Sequence, residues 1–280
     1  MSIVLRFSTL FLILFAMTMP ALGQAPDPDK EVILIPIVVG DVELSGGYGS
    51  RWSGEVWLRN GTEETLRGGF QLWSEVGCTA CTYPPLEVRR VPSIKTWQSA
   101  ALLRFQRTMI EELTITARMF ESSRRSQPQG VEIPVVREKD FFQGPANLLA
   151  IPLSAHSRAA VRIFEIFPMI TRQRFDIEIY GETGLLVRRT VEPRFDPATL
   201  TYGSGIADLP APAFAIIPDL RTEFSELEGV DLVHVRIVPH ERDFPPFRAI
   251  YWAMASVTDN ETQHVLLVTP RCCSPALEWP

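Results

Sequence analysis

Phe175-Asp176-Ile177-Glu178-Ile179-Tyr180 places an apolar side chain at every second position and a carboxylate between neighbours. A period of two marks a strand with one buried face, because successive side chains leave a pleated backbone on opposite sides. The same period runs through Leu113–Phe120, where Leu113, Ile115, Ala117 and Met119 oppose Thr114, Thr116 and Arg118. It returns in Asp231–Ile237, where Val233, Val235 and Ile237 oppose His234 and Arg236. Further strands are expected over Glu55–Arg59, Gly69–Ser74, Val131–Val136, Ala159–Phe167, Leu185–Val191, Ala213–Ile217, Ala249–Val257 and His264–Thr269. Val32–Val39 reads as a strand with Pro36 near its middle, which implies an edge position. Only Trp97–Arg107 and Asp219–Glu228 look helical; in the second, Leu220, Phe224 and Leu227 share a face. Short strands separated by turn residues point to antiparallel sandwiches rather than a wound parallel sheet.

Composition agrees with an all-β chain. Of 280 residues 23 are proline, about 8% against roughly 5% on average. Proline removes an amide donor and clashes with the preceding helical turn, so long helices are disfavoured. The 27 basic and 33 acidic side chains leave a net charge of −6. This argues against a general nucleic-acid binder, whose affinity rests on neutralising phosphates. Among the basic residues only Lys30, Lys95 and Lys139 are lysines. The arginines are scattered among acids, so a compositional bias is favoured over dedicated phosphate or carboxylate recognition.

The amino terminus carries its own signal. Phe7–Met19 is an apolar run broken by Ser8, Thr9 and Thr18, followed by Pro20 and the small residues of Ala21-Leu22-Gly23. This is the pattern of a secretory signal peptide cleaved after Gly23. The run is too short to span a bilayer, and no transmembrane span is expected in the mature chain.

A faint duplication organises the rest. Val56-Trp57-Leu58-Arg59 leads to Phe70-Gln71-Leu72-Trp73, and about 105 residues later Val161-Arg162-Ile163-Phe164 leads to Phe175–Tyr180. An alternating strand follows each pair, Leu113–Phe120 in the first case and Leu232–Pro239 in the second. Two sandwiches near the modal domain size account for the length. The expected organisation is a signal peptide over 1–23, a linker over 24–30, one β-sandwich domain over 31–143, a second over 144–270 and a tail over 271–280. The Pro/Gly-rich stretch Glu192–Pro212 is the longest loop, read as a surface excursion.

Arg51-Trp52 ahead of a strand ending in Asn60-Gly61-Thr62, together with Tyr251-Trp252-Ala253-Met254-Ala255-Ser256-Val257-Thr258-Asp259-Asn260-Glu261-Thr262, resembles uncharacterised secreted bacterial proteins with paired immunoglobulin-like domains. The resemblance spans most of the mature chain and implies that fold and an exported location. It departs in the arginine-rich middle and in the cysteines, and it transfers no catalytic residue.

Few residues suggest chemistry. Cys78, Cys81, Cys272 and Cys273 are disulfide candidates, since oxidised pairs are the default in exported proteins. Cys78 and Cys81 would close a local loop; Cys272 and Cys273 would form a vicinal ring or tie the tail to the first domain. An adjacent Cys-Cys pair is poor zinc-ligand spacing, and the helix start of a redox Cys-x-x-Cys is missing. His156, His234, His240 and His264 do not converge and are expected to be solvated. Asp259-Asn260-Glu261 could hold calcium but is what a tight turn prefers for backbone reasons. Asn60-Gly61-Thr62 and Asn260-Glu261-Thr262 match the glycan-acceptor pattern and also read as turns. Trp57 and Trp73 alternate out of phase with Val56, Leu58, Phe70 and Leu72. Their rings therefore offer a surface for a glycan or protein partner, unless the rings themselves are core.

No catalytic residue, metal site or cofactor is assigned. The sequence favours a non-enzymatic exported binding or structural protein of the bacterial envelope or extracellular space. One rival is a hydrolase of envelope polymers, which requires a cleft with paired carboxylates. Another is a periplasmic two-sandwich chaperone, which requires an exposed edge strand and basic residues in the inter-domain cleft.

Overall fold

A computed structural model describes residues 28–37, 43–70, 78–90, 100–123, 130–166, 173–194, 213–240 and 249–271. The segment 1–23, most of the stretch 192–212 and the tail after Arg271 lie outside them. In the first half the strands are β1 (Lys30–Ile35), β2 (Leu44–Ser45), β3 (Arg51–Asn60), β4 (Leu66–Phe70) and β5 (Cys78–Tyr83). They continue with β6 (Val88–Arg90), β7 (Ala101–Gln106), β8 (Leu113–Glu121), β9 (Val131–Ile133) and β10 (Val136–Arg137). The second half contributes β11 (Ala146–Pro152), β12 (Ser157–Glu165), β13 (Phe175–Gly181) and β14 (Gly184–Val191). Its remaining strands are β15 (Ala213–Ile217), β16 (Leu232–Pro239), β17 (Tyr251–Asp259) and β18 (Val265–Val268). The structure is predominantly β, and every ladder between these strands is antiparallel.

The two halves repeat one strand order. In the second half the sheets run β11-β16-β13-β14 and β15-β12-β17-β18. In the first, β1 pairs with β7, β4 with β5, and β6, β3, β8 and β9 share a sheet; β4 contacts β7. With β2 and β10 set aside, β1 and β3–β9 correspond in order to β11–β18. The correspondence differs at one point from the sequence reading. Leu113–Glu121 pairs with β3, whereas Leu232–Pro239 pairs with β11 and β13. β8 therefore matches β17, and β16 matches β7. β8 and β16 look alike because each shows one face to solvent, not because they hold the same place.

The sheets stack in four layers around three cores. Leu148, Ile163, Ile177, Val235 and Ala253 belong to the core between the two second-half sheets. Ile33, Leu58, Leu103, Phe105 and Met119 belong to the core of the first half. A third core joins the halves: Val32, Leu34, Leu102 and Val136 meet Phe164, Ile166, Trp252 and Met254. β1, β7, β12 and β17 thus bury both faces. Trp252 stacks on Phe164 with centroids 6.4 Å apart, at the centre of this shared layer.

Two-sided burial overturns two expectations. β1 lies between β10 and β7 rather than at an edge. It ends at Ile35, before Pro36, so the missing proline donor interrupts no ladder. Trp97–Arg107 is not helical over its described part: Ala101–Gln106 is β7, with a single helical turn only at Arg107–Ile110. Leu102 enters the shared core while Leu103 and Phe105 enter the first, so the polar face shows only at Arg104 and Gln106. The linker also stops short of Lys30, which pairs with Gln106 in β1. Asp219–Glu228 forms one helical turn capped by Asp219 and then a 3₁₀ turn; Leu220, Phe224 and Leu227 enter the second-half core.

Because both halves contribute to the third core, unfolding in urea is expected to show one transition. Trp252→Ala is expected to cost about 3–5 kcal/mol and to lower the midpoint for both halves together. Two separated transitions in the unsubstituted chain would show that the halves are energetically independent.

Candidate functional site

The inner face of β12 and β17 changes character along its length. Directly opposed pairs run Phe164–Trp252, Arg162–Met254, Ala160–Ser256 and Arg158–Thr258. The first pair packs beneath the short sheet of β10, β1 and β7. β1 ends at Ile35, and Ile37 already borders a cavity of about 350 Å³ over the polar end of the strip. Its floor is Arg158, Ala160, Arg162, Ser256 and Thr258; its roof is Ile37, Trp52 and Met119 from the first half.

Arg162 is the distinctive floor residue. Its Nη1 donates to Ser256 Oγ at 2.6 Å, and no carboxylate lines the cavity among the described residues. Burial pushes the guanidinium down to about 10 from its ordinary value, with no acid offsetting that cost. Arg158, at the other end of the strip, commits its fork to Asn260 Oδ1 at 2.9 Å and Gln263 Oε1 at 3.0 Å.

A first-half loop reaches the cavity rim. Gly46–Ser50 closes through Gly46 N donating to Ser50 O and Ser50 N donating to Gly47 O. Tyr48 takes a positive φ of 57° there, and the Arg158 guanidinium lies 5.4 Å from its ring centroid. Trp52 Nε1 donates to Ser50 Oγ at 3.0 Å. A side chain at Gly46 would meet that same hydroxyl at 2.3 Å and the Trp52 indole nitrogen at 2.7 Å, so only glycine lets the loop close on the tryptophan.

The residues singled out from sequence fall elsewhere. Trp57 is half-buried on β3 opposite Thr116 and Arg90, and Trp73 lies outside the described residues. Cys78 and Cys81 are on β5, with Cys81 half-buried against the first core; Cys272 and Cys273 lie outside the described residues. Asn60 is fully buried: Oδ1 accepts from Thr62, and Nδ2 donates to the carbonyls of Glu64, Tyr83 and Pro84. A glycan cannot be joined to that nitrogen without unmaking the turn. Asp259 Oδ1 accepts from the backbone of Glu261 and Thr262 and from the Thr262 hydroxyl, so its carboxylate builds a turn. His240 and His234 are not simply solvated. His240 Nε2 lies 2.7 Å from Asp176 Oδ1, and His234 Nδ1 accepts from Ala150 N at 3.0 Å.

Two charged clusters stand apart from the cavity and are internally matched. Glu31 is gripped by both arms of the Arg137 fork at 2.6 Å. Glu178 accepts from Tyr180 at 2.8 Å, from Arg236 at 3.0 Å and from Arg188. Desolvation of Glu178 favours its neutral form, but these donors outweigh it and hold the carboxyl below the usual range. Both clusters read as structural.

The sequence signal for the cavity is slight. Arg158 and Arg162 are four residues apart on β12, and Ser256 and Thr258 are the polar residues of the otherwise apolar run Tyr251–Thr258. Compared with known proteins, the chain matches no family model, no curated protein and no solved structure. No helix among the described residues is long and apolar enough to cross a membrane.

A carboxylate held below its ordinary pKa stabilises the fold above that pKa and loses the contribution as the pH falls through the folded value. Glu178→Gln is therefore expected to cost about 1–3 kcal/mol at pH 7 and far less at pH 3, read by urea unfolding at both. An equal loss at the two pH values would remove the charge from the explanation.

Proposed function

We propose that this chain is a non-enzymatic exported binding protein of the bacterial envelope or extracellular space. In this reading it consists of two immunoglobulin-like β-sandwich domains after a cleaved signal peptide, and its partner engages the junction between them. The observation that carries the reading is the cavity there: two arginines and hydroxyls below, an apolar roof above, and no carboxylate, histidine or cysteine among its described lining residues. Such a lining can hold a ligand but supplies no general acid or base of ordinary pKa. The repeated strand order supports a pair of related sandwiches, and the apolar run Phe7–Met19 supports export. Cys81, half-buried on β5, is proposed to be oxidised to one of Cys78, Cys272 and Cys273 in that compartment.

One observation favours a second reading, the two-sandwich chaperone. β15 is the edge of its sheet, and its Ile216 is exposed beside the arginine cavity. The bridge between Phe214 and Arg194 covers part of that edge, which leaves strand addition the less favoured of the two.

The exported product is expected to begin at Gln24 by amino-terminal sequencing and to sediment saturably with isolated envelope material, releasing no soluble fragments. A retained Met1 would overturn export. Steady release of sugars or peptides from the envelope by the purified protein would establish a hydrolase instead.

A further inference from the structure

We propose that the junction cavity is a carboxylate site, taking an organic acid whose charged end meets Arg162 and whose apolar body lies under Trp52 and Met119. This deepens the binding reading above and rests on it.

The floor cations select an anion. Arg162 is half-buried, and its one described hydrogen-bond partner is the neutral hydroxyl of Ser256. A partly desolvated cation whose described hydrogen-bond partner is neutral carries a cost that an incoming anion relieves. A guanidinium fork matches a carboxylate in plane and spacing. Arg158 lines the same floor, with its fork on the neutral Asn260 and Gln263 and its guanidinium near the Tyr48 ring, so Arg162 is the cation with donors left for the ligand while Arg158 adds to the positive potential of the site.

Position and size select the rest. The Arg162 Cα pairs with the buried Met254 on one side and the exposed Ile216 on the other, so the carboxylate would lie between apolar neighbours, covered on the Met254 side. The Thr258 hydroxyl lines the same cavity and can donate to the second carboxylate oxygen. At about 350 Å³ the space is at the small end of known ligand pockets. It suits a single ring or a short aliphatic body, supplied either by a free acid or by the last residue of a peptide chain.

Titration of the full exported chain, followed by tryptophan fluorescence and calorimetry, tests this. Phenylacetate is expected to bind, and phenylacetamide, with the same body and no charge, at least tenfold more weakly. Arg162→Gln is expected to lose phenylacetate binding tenfold or more, with Arg162→Lys recovering part. Ser256→Ala is expected to weaken it several-fold, which keeps the test decisive if Arg162→Gln fails to fold. An acetylated peptide ending in phenylalanine, as free acid and as amide, separates the two sources: preference for the acid peptide over phenylacetate assigns a chain terminus, the reverse a free acid, and both support the site. Equal binding of phenylacetate and its amide, no binding of either, or inorganic phosphate competing as strongly as phenylacetate would overturn it. Failure of these arms with envelope sedimentation intact rejects only the carboxylate; release of envelope fragments rejects the binding reading beneath it.

Discussion

The ladder between β12 and β17 serves two cores at once. Val161, Ile163, Tyr251 and Ala253 point into one, while Phe164, Trp252 and Met254 point into the other. Antiparallel sheets commonly leave one face to water; here the central strands of the middle two layers bury both faces where they overlap. Each central strand must then satisfy two neighbours with alternate residues, and a shift of register by one position would exchange its two faces. The long unbroken pairing from Ser157–Asp259 to Glu165–Tyr251 is the physical guard against such a shift.

The cavity follows from unequal lengths. β12 and β17 continue past the point where β1 stops, and the extra length carries arginine, serine and threonine where the covered part carries phenylalanine, tryptophan and methionine. Had those residues been apolar, the uncovered end would have been a sticky patch. Being polar, they stay compatible with water while enclosed enough for an arginine to feel desolvation. The Gly46–Ser50 loop then sets how far the mouth is narrowed.

Much of the strand pattern was legible because period two survives wherever one face is wet, as in Leu113–Glu121 and Leu232–Pro239. It failed where both faces are dry: in Ala101–Gln106 the run Ala101-Leu102-Leu103 hides a short alternation and reads as helical, and Pro36 falls inside the expected strand although β1 ends before it. The duplication was readable from β3, β4, β12 and β13, yet its third element was matched by exposure rather than by position. The cavity was not legible. Its floor comes from one half and its roof from the other, and no local pattern encodes how two such units meet. Trp57 and Trp73 stand out of phase with their apolar neighbours, whereas Trp52, which lines the cavity, carries no such signal in the sequence.

The shared core also bears on how a two-copy chain of this kind could arise. Once separated, the second half would present Phe164, Ile166, Trp252 and Met254 to water as one contiguous strip, and the first half would expose its counterpart. A solitary ancestral unit with such a strip would have to pair with another copy of itself to stay in solution. Tandem fusion turns that intermolecular association into an intramolecular one at high effective concentration. It also frees the two copies to differ, so a polar pocket can grow on one side of the seam without being mirrored on the other.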